Sequence, residues 1–176
     1  MKIKNPVFSV SLRYSALASL LSIVLFSVLY YFGRNPLLLP SFLDYRLLLF
    51  PIFLVFGIRE FKETRNNGVL HFWQGFSIGM LIILVIGMVM FAYIFVLGGL
   101  IDHNFTANYI METVHNITSA QDKIIAQYGE KVYNESLKLV PTTSLFDLAL
   151  DYFIKSLPLG IILTILISLV LRFKPK

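Results

Sequence analysis

The sequence predicts an all-α integral membrane protein, a four-helix bundle with a helical extracytoplasmic insertion between its third and fourth spans. Three observations predict it. Gly75 to Ile101 runs twenty-seven residues without a charged side chain. As a helix that stretch reaches roughly 40 Å, longer than a hydrocarbon core of roughly 30 Å is thick. Hydrophobic residues make up 57% of the 176-residue chain and charged ones 14%, which is more apolar surface than a globular interior can hide. The cations that give a net charge of +5 flank apolar stretches and never form a run of five or six. They read as topology signals and not as a nucleic-acid surface.

The first span is placed at about 14–33. Its apolar stretch closes on Tyr30, Tyr31 and Phe32, where a cleavable signal needs small residues, so it is expected to be retained with the tyrosines at headgroup level. The second, 42–58, has only twelve uninterrupted residues, Leu47 to Ile58. It therefore has to carry Asp44 and Arg46 at an interface and tolerate Pro51, and a re-entrant half-span is the rival reading. The third is 75–101. The fourth, 152–171, has Leu157 to Leu171 as its uncharged part and reaches across only if Tyr152, Phe153 and Ile154 contribute while Lys155 snorkels. All 176 residues are read as one membrane domain.

Lys and Arg are retained on the cytoplasmic side, so their distribution orients the chain. Under four spans Lys2, Lys4, Arg13, Arg59, Lys62, Arg65, Arg172, Lys174 and Lys176 share one face, while eight of the ten acids fall on the other. Both termini are therefore expected in the cytoplasm. Without a second crossing the Arg59 to Arg65 cluster would stand on the wrong side.

The far-side segment 102–147 shows Ile110, Val114, Ile117, Ile124, Tyr128, Val132 and Leu139 at helical spacing. Pro141 ends the pattern, and a break at Tyr128-Gly129 predicts two helices, a hairpin or a bent helix against the membrane.

Small residues give the most specific spacing. Gly75, Gly79 and Gly87 share a face of the third span, Gly160, Thr164 and Ser168 form a stripe on the fourth, and Ser15, Ser19 and Ser22 form one on the first. Such stripes let helices approach closely, within one bundle or between copies. Asp151 and Lys155, four apart, can pair on one helix face. Asp44 and Arg46, two apart, cannot, so cross-helix pairs of Asp44 with Lys155 or Arg46 with Asp151 are expected at the interface.

No catalytic, cofactor or metal site is expected. The chain has no cysteine, and a single Glu112-Thr-Val-His115 lacks the further carboxylates and second ExxH of a two-metal site. No phosphate loop, nucleophile elbow or HExxH is present. Asn104-Phe-Thr, Asn116-Ile-Thr and Asn134-Glu-Ser are sequons, all in the far-side segment.

The segment Phe56-Gly-Ile-Arg-Glu-Phe-Lys-Glu-Thr-Arg-Asn-Asn-Gly68, continuing to Phe72-x-x-Gly75-Phe76-x-x-Gly79, resembles the family called domain of unknown function 4199. The resemblance implies a small multi-pass protein of the bacterial inner membrane and carries over no functional residue, because the family has no established activity. The same loop has its own physical reading. Arg59, Lys62, Arg65, Phe72 and Trp73 suit contact with anionic lipid or docking of a cytoplasmic partner. The expected role is non-enzymatic, an accessory, scaffold or assembly factor whose partners are membrane lipid, another membrane protein or a second copy. A small oligomeric transporter or channel is the alternative, and a membrane-embedded lipid-modifying enzyme the third reading.

Overall fold

A computed structural model describes residues 6–39 and 44–172. Among them every regular element is helical. Three helices are long and apolar enough to cross a membrane: Pro6–Tyr31, Phe72–Ile101 and Leu145–Leu171.

Helix α1 is described over Pro6–Tyr31. It closes at Gly33, where φ is +75°. The Gly33 N–H bonds the Tyr30 carbonyl and the Arg34 N–H bonds that of Leu29, so two end carbonyls are satisfied. Helix α2, Arg46–Glu60, continues as a π-helical turn, Phe61–Arg65. The two together are twenty residues, about 30 Å at helical rise. Phe42 and Leu43, where the second span was expected to begin, lie outside the described residues.

The turn after α2 uses Asn67 (φ 50°) and Gly68 (φ 78°) in left-handed conformation. Asn66 Nδ2 donates to the Val69 carbonyl and, at 3.1 Å, to Gln74 Oε1, which also accepts the His71 N–H at 3.0 Å. That last bond is half of a capping box and starts α3, Phe72–Val96, which runs into a π-helical turn, Leu97–Ile101. Then come α4 (Phe105–Ser119), α5 (Gln121–Tyr128), α6 (Glu130–Leu139), a 3₁₀ turn at Val140–Thr142 and α7 (Leu145–Leu171). A Ser144-x-x-Asp147 capping box begins α7: the Ser144 N–H donates to Asp147 Oδ2, and the Asp147 N–H to Ser144 Oγ. The helix thus starts well ahead of residue 152.

The chain divides into two compact units, Met1–Phe91 with Tyr152–Lys176, and Ala92–Asp151. In the first, Arg13 contacts Glu60, Ser11 Oγ lies 3.4 Å from the Ile78 carbonyl, and Lys62 Nζ donates to the Leu171 carbonyl. The start of α1, the end of α2, the start of α3 and the end of α7 therefore meet at one end. Arg46, Tyr152 and Phe26 meet at the other. Hence α1 and α3 run one way, and α2 and α7 the opposite way.

On α1 and α7 much of the buried face is small and hydroxyl-bearing, whereas α2 and α3 bury large aliphatic groups such as Leu54, Ile58, Ile82 and Ile86. On α1 the buried stripe is Val10, Ser11, Ser15, Ala18, Ser19, Ser22 and Phe26, whereas Leu17, Leu20, Leu21, Val24 and Val28 are exposed. On α7 Ser156, Thr164 and Ser168 are buried, with Ile162, Leu166 and Val170 outside. Large aliphatic groups gain by facing hydrocarbon, and small ones let backbones approach.

In the second unit Phe105 is fully buried, and both Phe105 and Leu145 close on Gly98. The insertion differs from the expected two helices, for there are three. The break at Tyr128-Gly129 is present, with Gly129 at φ 88°, and a second lies at Ala120. The glycine shifts the helical phase, so Tyr133 is buried, bonding Gln121 Oε1 at 3.3 Å, while Tyr128, Val132 and Leu139 are exposed.

Candidate functional site

Three groupings within the first unit carry specific chemistry. The seam between α3 and α7 is the tightest. A Cβ built on Gly75 would lie 2.9 Å from Ser168 Oγ, one on Gly79 2.8 Å from Thr164 Oγ1, one on Gly160 2.8 Å from Ile83 Cγ1, and one on Gly87 2.8 Å from the Phe153 ring. From Gly75 to Ile83 each step of four along α3 meets a step of four back along α7, as antiparallel helices with i, i+4 rows in contact require, and the next step, to Gly87, meets Phe153 seven residues back. Ser11, Ser22, Ser27 and Ser156 bond the carbonyl four residues earlier. Thr164 and Ser168, by contrast, have fully buried hydroxyl oxygens with no hydrogen-bond partner among the described residues, as does Ser19. Thr164 and Ser168 face Gly79 and Gly75, whose missing side chains let the two helices approach closely. Ser15 and Ser22 lie on the buried face of α1, bonding the Leu12 and Ala18 carbonyls.

The second grouping surrounds Arg46, which is buried. Its Nε donates to Asp44 Oδ2 at 2.7 Å, its Nη2 contacts the same oxygen, and its Nη1 donates to Ser156 Oγ at 2.8 Å and to the Tyr152 carbonyl at 3.2 Å. The guanidinium also lies 4.4 Å from the centre of the Tyr152 ring, and the Tyr152 hydroxyl bonds that of Tyr45. Asp44 and Arg46 do pair, against the expectation from their spacing. The i, i+2 exclusion holds only inside a helix, and Asp44 precedes α2, where its Oδ1 accepts the Arg46 N–H at 2.9 Å. Arg46 reaches α7 through Ser156 and Tyr152 and not through an acid. Asp151 and Lys155 stand four apart on α7.

The third grouping is at the other end. Glu60 accepts from Tyr14 at 2.7 Å and pairs with Arg13. Arg59 pairs with Glu63 at 2.8 Å. Lys62 sits at the C-terminus of α7, 3.1 Å from the Leu171 carbonyl, where a cation suits the helix dipole. Arg65 and Arg172 are exposed and make no ion pair among the described residues. Phe72, Trp73 and Phe76 form an aromatic cluster with centroids 5.2–5.9 Å apart, and Trp73 is 71% exposed.

The sequence reading missed Ser11 and Ser156, although each extends a marked stripe by one helical turn. It also missed Tyr14, Glu60, Tyr45 and Tyr152, which no spacing rule brings together. Glu112 and His115 are exposed on α4, and among the described residues no three His, Asp or Glu side chains gather as metal ligands.

No curated protein and no solved structure matches the chain. Residues 13–172 match the family described as Protein of unknown function (DUF4199). With nearly its whole length matched and its helices of membrane-spanning length and apolarity, the chain belongs to the DUF4199 family.

Proposed function

We propose that this chain is a non-enzymatic, four-span protein of the bacterial inner membrane, an accessory, scaffold or assembly factor with both termini in the cytoplasm. The spans are α1, α2 with its π-helical turn, α3 and α7, in one bundle. The segment between α3 and α7 is extracytoplasmic. The parallel course of α1 and α3 supports the second crossing, because the chain has to return between them and α2 is long enough to do so.

One observation carries the scaffold reading: the α3–α7 seam, where glycines and small hydroxyl residues meet without room for an added methyl group. A path for solute needs polar groups around open volume, and this contact has the groups without the volume. Partners on this reading are membrane lipid and another membrane protein or a second copy. The transporter alternative draws on the unpartnered Thr164 and Ser168 hydroxyls, which water in an opened seam would satisfy.

Single cysteines at Gly87, Thr164 and Ser168 discriminate the two, in a chain without native cysteine. The scaffold reading expects all three to resist a water-soluble maleimide in membranes. Rapid labelling at any two would favour a pathway.

A further inference from the structure

Resting on the membrane reading above, we infer that the end of the first unit where α2 hands over to α3 is a docking surface for anionic phospholipid headgroups. Arg13, Arg59, Lys62, Arg65 and Arg172 gather there with Glu60 and Glu63, five cations against two acids, a net +3 among the described residues. Both acids are already engaged, Glu60 by Arg13 and Tyr14, Glu63 by Arg59. The surplus is therefore spread over Lys62, which bonds the Leu171 carbonyl, and over Arg65 and Arg172, which are exposed and form no ion pair among the described residues, although the charge of Arg65 is felt by Glu60. A lipid phosphate is the complementary partner, and guanidinium binds phosphate through two parallel N–H groups.

Aromatic placement ties this charge to a bilayer and not to water. Asn66, next to Arg65, bonds Gln74, next to Trp73, so the exposed Arg65 and the exposed Trp73 flank one bonded turn. Trp73 opens the most apolar helix of the chain with its ring 71% exposed, the position of an interfacial anchor. By contrast the Ala92–Asp151 unit carries three lysines against seven carboxylates, net −4, and offers anionic lipid nothing.

Trp73 is the one tryptophan of the chain, so it reports on its own surroundings. The full chain is reconstituted in phosphatidylcholine vesicles containing a minor share of phosphatidylglycerol, with bromine on the acyl chains of one lipid or the other. Brominated phosphatidylglycerol should quench Trp73 several-fold more than its share of the lipid predicts. High salt should abolish the excess, because exposed charges are screened beyond about 10 Å at 0.1 M. Arg65→Gln with Arg172→Gln should lower the preference about fivefold per arginine. Both side chains are exposed, so the fold should survive, as the α-helical circular dichroism of the double variant will show. Quenching in simple proportion to lipid content overturns the inference, as does a preference that the double variant retains. Failure of the chain to float with the vesicles would instead remove the membrane reading and this inference with it.

Discussion

Gly79 has no room for a side chain. A methyl group there would stand 2.5 Å from Thr164 Cγ2 and 2.8 Å from its Oγ1, so Gly79→Leu should destabilise by about 1–3 kcal/mol through overpacking. At Gly99 the nearest atom to an added Cβ is 3.6 Å away, in Leu145, and Gly99→Ala should be near neutral. Thermal unfolding in one detergent compares them. Arg46→Met is expected to cost more, about 3–5 kcal/mol, because it leaves Asp44 as a half-buried charge without its partner. The double variant Asp44→Asn with Arg46→Met should recover much of that loss in the same measurement.

At the scale of elements, what hydropathy could read was length. Helices α1, α3 and α7 stand out in the sequence because nothing charged interrupts their middles, and all three are present. Helix α2 was visible only through the charge count, since Arg46 and Arg59 limit its apolar run to the twelve residues from Leu47 to Ile58. Two starts were missed for different reasons. The Ser144-x-x-Asp147 box was there to be read, whereas Asp44 joins Arg46 only because the helix begins after it. Within the insertion Gly129 announced its break, while Ser119-Ala120 has no turn chemistry to announce the other. The stripes were legible one helix at a time. Their register, Gly75 on Ser168 and Gly79 on Thr164, was not, because a stripe fixes a face and leaves the sliding coordinate open. If α2 and its π-helical turn cross the bilayer, Arg34→Cys and Glu63→Cys lie on opposite sides. An impermeant maleimide should then label the first in intact cells and the second only after permeabilisation.

Across the whole molecule the charges are sorted, with the acids concentrated in Ala92–Asp151 and the bases outside it. The three sequons fall inside that acidic unit, and Asn104, Asn116 and Asn134 are all exposed. Translation into glycosylating microsomes should therefore add glycans at Asn116 or Asn134 if the unit faces the lumen, and Asn→Gln at those positions should remove the shift in mobility. No glycan on an inserted chain would reverse the proposed topology.

The inverted burial of α1 and α7 reaches beyond stability to what drift can do with this chain. In a water-soluble protein the interior is conserved for bulk and the rind wanders among polar residues. Along these two helices the rind can wander only among Leu, Ile, Val and Phe, and the small buried positions only towards Gly, Ala or Ser. A saturation mutagenesis map should look like the photographic negative of a globular protein's, forgiving of branched aliphatics at Leu20 and Val170 and hostile to every gain of volume at Ser15 or Thr164.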